Sequence, residues 1–293
     1  MRSIETREVR EAGLDKFYTK PDTVDKCLEA LRETYEWSEW DRVIEPSAGN
    51  GRFLDAIPHN NKIGLDIMPE HPEVIERDFF EYNPNPTNQR TVCVGNPPFG
   101  RSCSLAVRFF NHASQFSDVI AFIIPRTFRR ISIQNQLNLS FRLVKDIELP
   151  TSPCCFEPPM MVKCCFQIWE RSSVSRNKII LTTIHTDWDF LKFGPKDERN
   201  QPTPPQGADF AIRAYGGRVG EIRTTGLQEL RPKSWHWIKC SDVVEKETLV
   251  SRFGELDYSL SLDSARQNSL GKGELVFLYS SRISDKLLSK QYL

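Results

Sequence analysis

The chain has 293 residues, with 39 basic and 39 acidic side chains, so its formal net charge is zero. This length allows one large domain, or a large domain followed by a small one. Because there is no net charge, a polyanionic partner has to be recognised by local patches. The chain starts without the apolar stretch of a signal peptide, and no run is long enough to span a bilayer. We therefore expect a soluble intracellular protein, cytoplasmic or, in a eukaryote, nuclear.

Eight cysteines and five histidines give no metal signature. The doublets Cys154-Cys155 and Cys164-Cys165 lack the Cys-x2-Cys spacing of zinc ribbons, and adjacent residues of a strand point to opposite faces. We expect no metal site, and we expect reduced thiols that pack as small hydrophobic side chains.

Apolar strand-like runs alternate with polar or helical stretches over about the first 175 residues, a rhythm typical of a parallel sheet with crossover helices. The predicted strands are Arg42 to Glu45, Lys62 to Asp66, Thr91 to Gly95, Val119 to Ile124, Leu143 to Leu149 and Val162 to Trp169. The last two are predicted to form a hairpin, because the proline-rich segment between them is too short for a crossover helix. The rhythm then stops, which predicts a first domain of residues 1–176 and a C-terminal region of residues 177–293.

A turn rich in small residues follows the first predicted strand: Glu45-Pro46-Ser47-Ala48-Gly49-Asn50-Gly51. Such a turn lets the backbone pass close to a nucleotide-like ligand before a helix begins. It is no phosphate cradle, because Gly-Lys-Ser/Thr is absent and Glu45 would repel a pyrophosphate. A carboxylate suits a cationic ligand, and the sulfonium and ammonium of S-adenosylmethionine fit Glu45 and the open backbone of Gly49 and Gly51.

Acidic residues follow at positions where an adenosine group is commonly held. Asp66 ends the next predicted strand, roughly twenty positions after the glycine turn, and is the predicted ribose ligand. Further on, Asp78 is predicted to accept from an adenine amine and Phe79 to flank its ring. Either acid alone is more often a solvated loop carboxylate, so the prediction depends on their order and spacing together.

The tetrapeptide Asn96-Pro97-Pro98-Phe99 stands directly after the strand predicted to end at Gly95. Its prolines cannot continue a helix or a ladder, and they fix the backbone so that the Asn96 side-chain carbonyl and the Pro97 peptide carbonyl can converge on one NH2 group. Two acceptors pulling on an exocyclic base amine favour its pyramidal, nucleophilic form, and Phe99 offers a face for stacking. The alternative is a proline-rich turn that only closes a strand.

Together, residues 45–51 and 96–99 resemble the S-adenosylmethionine-dependent amino-methyltransferases, most closely the adenine-N6 methyltransferases of DNA. A third match, Asp15-Lys16-Phe17-Tyr18-Thr19, is similar to the cofactor segment that comes first in members with the gamma motif order. The resemblance covers about residues 13–170. It implies an α/β, Rossmann-like class I methyltransferase domain with a mostly parallel seven-stranded sheet.

The resemblance also implies site roles. Thr19 would hydrogen-bond the methionine carboxylate, and Asn96, Pro97 and Phe99 would be catalytic. The implied cofactor pocket is formed by Phe17, Tyr18, Thr19, Glu45, Ser47, Ala48, Gly49, Gly51, Asp66, Ile67, Asp78, Phe79 and Asn96. No metal is needed, since sulfonium is already an excellent leaving group and the enzyme mainly positions and polarises.

Contacts to the target are predicted next. Rotating a base out of a duplex costs a few kcal/mol, and each stacking contact with an aromatic ring is worth about 1–3 kcal/mol. A second ring besides Phe99 is therefore expected, and Phe156 is the candidate, with burial in the core as the alternative. Basic residues from Arg101 to Lys145 are opposed only by Asp118 within that range, which suggests phosphate contacts. The predicted substrate-binding residues are Pro98, Phe99, Arg126, Arg129, Arg130 and Phe156.

The C-terminal region mixes basic and aromatic residues between Arg213 and Lys239, a pattern suited to target recognition. The predicted reaction is transfer of a methyl group to N6 of adenine in DNA, with the base flipped into the pocket. The alternatives are an RNA adenine-N6 or guanine-N2 methyltransferase, a glutamine methyltransferase of the release-factor type, and a non-catalytic subunit that binds nucleic acid. No endonuclease signature is evident, so any restriction activity is expected on another chain.

Overall fold

The computed structural model of the protein describes residues 16–84 and 89–283, so Asp15 of the N-terminal match lies outside the described residues. The chain divides into two compact units, Met1–Lys178 and Ile179–Leu293. In these described ranges, no helix has both the length and the apolar character needed to cross a membrane.

Strands and short helices alternate in the first unit. Its strands are β1 (Tyr18–Thr19), β2 (Arg42–Glu45), β3 (Lys62–Asp66), β4 (Val74–Glu76), β5 (Thr91–Gly95), β6 (Val119–Pro125), β7 (Phe141–Glu148), β8 (Phe156–Glu157) and β9 (Cys164–Arg171). Its helices are α1 (Pro21–Arg32), α2 (Arg52–Ala56), α3 (Ser104–Ala113) and α4 (Ile131–Gln134).

A seven-stranded sheet in the order β4-β3-β2-β5-β6-β9-β7 organises this unit. The strands from β4 to β6 pair in parallel, and only β9 runs antiparallel to its neighbours β6 and β7. The predicted Rossmann-like α/β architecture with a mostly parallel seven-stranded sheet is confirmed. The strand order reverses between β2 and β5, and in such sheets the ligand crevice lies outside the carboxyl ends of the strands at this point.

Side chains of the central strands are buried on both faces of the sheet. Val43 of β2 packs into one apolar cluster and its neighbour Ile44 into the other, and the same alternation separates Val92 from Cys93 on β5. Parallel strands covered by helices on both faces read as continuous apolar runs, which is why these strands were visible in the sequence. Each buried Val or Ile side chain contributes about 1.5–3 kcal/mol to folding.

The bounds of β2, β3 and β5 agree with the predicted strands, and the β7–β9 hairpin is confirmed. In the seven-stranded sheet, the strand that was not predicted is β4, which has three residues and lies at the edge with Ile75 exposed. The two-residue strands β1 and β8, which pair with each other, were not predicted either. Such a short element leaves too few residues for a periodic pattern.

A four-stranded antiparallel sheet forms the second unit, in the order β10-β13-β11-β12. Its strands are β10 (Trp188–Phe190), β11 (Phe210–Arg213), β12 (Ile222–Arg223) and β13 (Trp235–Cys240), and its helices are α5 (Lys246–Gly254) and α6 (Lys272–Ile283). Side chains from strands and helices share one core, which includes Trp188, Phe210, Phe253 and Tyr279.

Most of the aromatic residues between Arg213 and Lys239 are not exposed. Trp235, His236 and Trp237 are buried, because β13 is a central strand whose two faces are both covered. Tyr215 is 47% exposed, and Arg213 and Arg223 both pair with Glu221, at 3.2 and 3.0 Å. The buried rings do not form a surface for stacking bases, while target recognition by the second unit stays a prediction.

Candidate functional site

The predicted site residues of the first unit follow the carboxyl ends of neighbouring strands. Glu45 ends β2, and Asn96 comes directly after β5, which pairs in parallel with β2. The N-terminal segment joins them through β1, which pairs with β8 so that Thr19 lies opposite Phe156. Segments far apart in the sequence therefore meet at one edge of the sheet.

The glycine turn is held in shape by Asp66. Its carboxylate accepts hydrogen bonds from the backbone N–H groups of Gly49 and Met68, each at 2.8 Å. Gly49 and Gly51 have φ angles of +50° and +79°, in the left-handed region that favours glycine. A Cβ at Gly51 would also come within 2.6 Å of the His71 ring. The turn thus needs glycine for both conformation and space.

Asn96 has one end of its carboxamide anchored and the other end unengaged. Its Nδ2 donates to the Phe17 carbonyl at 3.3 Å. Its Oδ1 is buried and has no hydrogen-bond partner among the described residues. Pro97 is buried beside it, while Pro98 and Phe99 are half-buried, and Phe99 packs against the clusters on both faces of the sheet. Oδ1 is therefore an acceptor oriented by a fixed donor, as the predicted role requires.

Two further buried oxygens at this edge have no hydrogen-bond partner within the described part of the chain, Thr19 Oγ1 and Glu45 Oε2. Both residues are almost fully buried, at 4% and 3% exposure. Burial raises the pKa of the Glu45 carboxyl well above its ordinary value. Leaving a buried polar atom unsatisfied costs about 1–3 kcal/mol, so a group of such atoms calls for a ligand.

S-adenosylmethionine is the cofactor that the sequence motifs predict, and the unpartnered oxygens fit it. Thr19 Oγ1 can donate to a carboxylate, and Glu45 Oε2 can accept from an ammonium. Ile67 is 51% exposed directly after Asp66 and offers an apolar contact for a purine ring. Ala48 donates its N–H to Leu65 at 2.8 Å, which fixes the turn to β3 next to half-buried Ser47.

Phe79 does not flank a cofactor ring. Its side chain is only 2% exposed and stacks on Phe109 with ring centroids 5.2 Å apart. Asp78 is exposed, and its carboxylate accepts from the Phe80 N–H at 2.9 Å. The half-buried ring next to Asp78 belongs instead to Phe80, over which the Arg108 guanidinium lies at 4.4 Å.

Phe156 is also in the core rather than at the target pocket. Its side chain is 2% exposed and belongs to the cluster beneath α1. The reason is that Phe156 lies on β8, whose pairing with β1 turns the ring inward. The prediction that it stacks on the target base is wrong, and the alternative of burial in the core is correct.

Arg126 and Arg129 follow β6, but carboxylates engage them. Arg126 is bonded to Glu148, and Arg129 forms a pair with Asp146 at 2.6 Å. Both acids lie on β7, just beyond the range in which Asp118 was the only opposing charge. Arg130 has a contact of its own as well. The expectation that these arginines lack opposing charges is therefore wrong, while phosphate contact by them stays a prediction.

Four residues of the site edge were missed. Lys16 and Tyr18 both bind Glu70, and Arg52 donates to the Thr19 carbonyl at 3.0 Å and pairs with Glu157 at 2.7 Å. Arg52, Glu70 and Glu157 belong to no recognisable motif, and Lys16 lies in the N-terminal match but had no role assigned to it. The partners of these residues are 33 to 105 positions away. Only the strand pairing brings them together.

No protein-family model matches the chain, and no curated protein matches it. Solved structures similar to it include PH1948 from Pyrococcus horikoshii, provisionally described as an RNA methyltransferase, at 16% identity and TM-score 0.41, covering 54% of this chain and 87% of the other. The 23S rRNA methyltransferase ErmE shares 17% identity at TM-score 0.39, and the match covers 55% of this chain and 71% of ErmE. A dimethyladenosine transferase from Plasmodium falciparum shares 17% identity at TM-score 0.36, and the match covers 53% of this chain and 62% of the transferase. Similarity at this level assigns no substrate.

Proposed function

We propose that the protein transfers a methyl group from S-adenosylmethionine to the exocyclic amine of adenine in a nucleic acid. The observation that carries this proposal is Asn96 Oδ1, a buried acceptor without a partner among the described residues, next to the rigid Pro97. An amine held by this oxygen and the Pro97 carbonyl has a lone pair that is less delocalised into the ring. The bound cofactor supplies an electrophilic methyl group on a sulfonium.

The residues of the chain act by binding and orienting. Thr19 and Glu45 meet the oppositely charged groups of the methionine moiety, and Asp66 meets the ribose. Asn96 and Pro97 hold both amine hydrogens, and Phe99 stacks the base. One of those hydrogens leaves as a proton after the methyl group has transferred, so no strong general base is required.

Burial of Phe156 affects the proposed substrate. Phe99 alone offers about 1–3 kcal/mol of stacking, which barely offsets the few kcal/mol needed to flip a base from a duplex. An adenine that is already unstacked avoids this cost. We therefore propose single-stranded segments as the preferred substrate.

Whether the polymer is DNA or RNA is the finer part of the proposal. The motif order resembles the DNA enzymes, and DNA adenine-N6 transfer remains the first candidate. RNA is the second candidate. Among the similar structures, ErmE is a 23S rRNA methyltransferase and PH1948 is provisionally described as an RNA methyltransferase. Single-stranded RNA and single-stranded DNA satisfy the stacking argument equally.

The test is methyl transfer from radiolabelled S-adenosylmethionine to adenine-containing oligonucleotides, as single-stranded DNA, duplex DNA and RNA, followed by nucleoside analysis. We expect N6-methyladenine, with more product on single strands than on the matched duplex. Label on a different nucleoside would overturn the adenine assignment. Cofactor binding without label in any polymer would contradict the proposed function and favour the non-catalytic subunit or a glutamine methyltransferase.

A further inference from the structure

The N-terminal segment of the described chain, residues 16–20, crosses the site edge and is here called the strap. It is bonded to β8 through the β1 pairing and through the Lys20 N–H, which donates to the Cys155 carbonyl at 2.9 Å. The Tyr18 ring lies against the glycine turn, since a Cβ at Gly49 would come within 3.1 Å of it. The strap therefore touches both the glycine turn and the loop between β7 and β9.

Glu70 connects the strap to the glycine turn. Its Oε1 accepts from Lys16 Nζ at 2.5 Å and from the Tyr18 hydroxyl at 2.6 Å. Its own backbone N–H donates to the Gly49 carbonyl at 2.9 Å. Both side-chain bonds are charge-assisted, which makes them shorter and stronger than neutral ones. One residue thus holds the strap and the turn in a fixed relation.

The strap in turn orients Asn96. The Phe17 carbonyl, between the two residues that Glu70 holds, accepts from Asn96 Nδ2 at 3.3 Å. A carboxamide presents a donor at one end and an acceptor at the other, so a bond that fixes Nδ2 leaves Oδ1 as the acceptor. If the strap moved, the carboxamide could rotate and offer Nδ2, a donor that cannot hold an amine hydrogen.

The far end of the strap is closed by a second pair. Arg52, the first residue of α2, donates to the Thr19 carbonyl and pairs with Glu157 of β8. The side chains of Arg52 and Glu70 are 31% and 44% exposed, so solvent weakens both pairs. Glu70 is the better place to test the strap, because it contacts Lys16 and Tyr18 of the strap as well as the backbone of the glycine turn.

We propose that Glu70 is a positioning residue that holds the strap closed over the cofactor pocket and thereby orients the Asn96 carboxamide toward the target amine. The inference rests on the proposed function, and it adds a residue that couples cofactor binding to polarisation of the amine. Loss of the contact should weaken cofactor binding and also slow transfer when cofactor is saturating.

The experiment compares wild-type full-length protein with Glu70→Gln, Tyr18→Phe and the matched control Glu73→Gln. Glu73 is an exposed glutamate of the same loop whose side chain has no contact among the described residues. Dissociation constants for S-adenosylmethionine are measured by calorimetry, and kcat is measured at saturating cofactor with a single-stranded adenine oligonucleotide. The Asn96 side-chain amide signal, assigned from its loss in Asn96→Ala, is followed by NMR.

We expect Glu70→Gln to raise the dissociation constant about tenfold and to lower kcat by a similar factor, with a shifted or broadened Asn96 signal. Tyr18→Phe, which keeps the ring and the Lys16 contact, should give a smaller change of the same kind, and Glu73→Gln should stay within about twofold. Thermal unfolding verifies that each variant is folded.

Two results would overturn the proposal. If Glu70→Gln weakens cofactor binding but leaves kcat and the Asn96 signal unchanged, the strap does not orient Asn96. If all three readouts match wild type, Glu70 has no positioning role. Failure of the proposed function looks different: the wild-type protein would then fail to methylate any oligonucleotide, while calorimetry and NMR would still decide the role of Glu70.

Discussion

Each unit has a buried carboxylate, and the two differ in whether their oxygens have hydrogen-bond partners. Asp187 of the second unit accepts from the Tyr279 hydroxyl at 2.8 Å and from Arg252 at 3.3 Å, and it also accepts from Thr186. Glu45 of the first unit is buried at least as deeply, yet its Oε2 has no partner in the described ranges. The network around Asp187 fits a role in stability, whereas Glu45 is poised for a ligand.

This difference shows how a site can be distinguished from a core. Buried polar atoms that bond to one another stabilise a fold, while buried polar atoms left without partners lower its stability. Single atoms of this kind occur elsewhere, as at Trp188 Nε1 and Ser264 Oγ, but three such oxygens at one edge of the sheet suit a polar ligand. Substitution of Asp187 should therefore affect the free energy of unfolding. Substitutions of Glu45 and Asn96 should affect cofactor binding and methyl transfer.

The largest effect is expected for Asn96→Ala. Removing one preorganised polar group that acts on the reacting atoms typically lowers kcat by about 10²–10³-fold. Cofactor affinity should change by less than about threefold, since the substitution removes no group assigned to the methionine moiety. Initial rates and calorimetry measure the two quantities. Equal losses of rate and affinity would remove Asn96 from its catalytic role.

Asp187→Ala should reverse this pattern. It removes the acceptor of the Tyr279 hydroxyl and the ion-pair partner of Arg252, so the free energy of unfolding should fall by about 2–4 kcal/mol. Cofactor affinity should be unchanged while the protein is folded. Asp189→Ala is the matched control, because Asp189 is exposed and lies two residues away, on β10. Urea unfolding followed by tryptophan fluorescence tests this, and equal stability of the two variants would contradict the structural role.

Burial of His236 predicts that the second unit loses stability in acid. Burial lowers the pKa of His236 to about 4, against 6.5 for the free side chain. The unfolded chain therefore binds more protons between these values, and unfolding free energy should fall by about 3 kcal/mol as pH drops from 6.5 to 4. His236→Gln should flatten the difference curve over this window. Urea unfolding of wild type and variant at several pH values provides the comparison. If the unfolding free energy of the variant depends on pH as steeply as that of wild type, other groups cause the dependence.

A smaller change is expected for Glu45→Gln. Loss of the carboxylate should weaken S-adenosylmethionine binding about tenfold. Because burial raises the pKa of Glu45, a cationic ligand that ionises the carboxyl releases a proton, so wild-type affinity should rise with pH and Glu45→Gln should lose this dependence. Calorimetry in buffers of different ionisation enthalpy counts the protons. If the variant releases the same number of protons as wild type, these protons come from another group.

The sequence allowed prediction of those features that depend on local patterns. The bounds of β2, β3 and β5 followed from continuous apolar runs, and the order of the glycine turn, Asp66 and Asn96 gave the edge at which they meet. What failed depends on which way a side chain turns. Phe79 and Phe156 are rings in suitable segments, but the local backbone directs them into the core.

The other features that the sequence did not predict depend on pairing between residues far apart in the chain. The arginines after β6 looked unopposed because Asp146 and Glu148 are on the following strand, and charges there are invisible to a count within one segment. Glu70 was missed for the same reason, since its partner Tyr18 is 52 positions away. Motifs specify the reacting atoms, but the residues that hold them follow from topology.

The measurement that most directly tests the central claim is calorimetric titration of S-adenosylmethionine into the wild-type protein and into Thr19→Val, which removes one of the unpartnered oxygens. We expect one molecule bound per chain and an affinity several-fold weaker in Thr19→Val. Absence of binding to the folded wild-type protein would contradict the assignment of these buried oxygens to a cofactor site, and with it the proposed function.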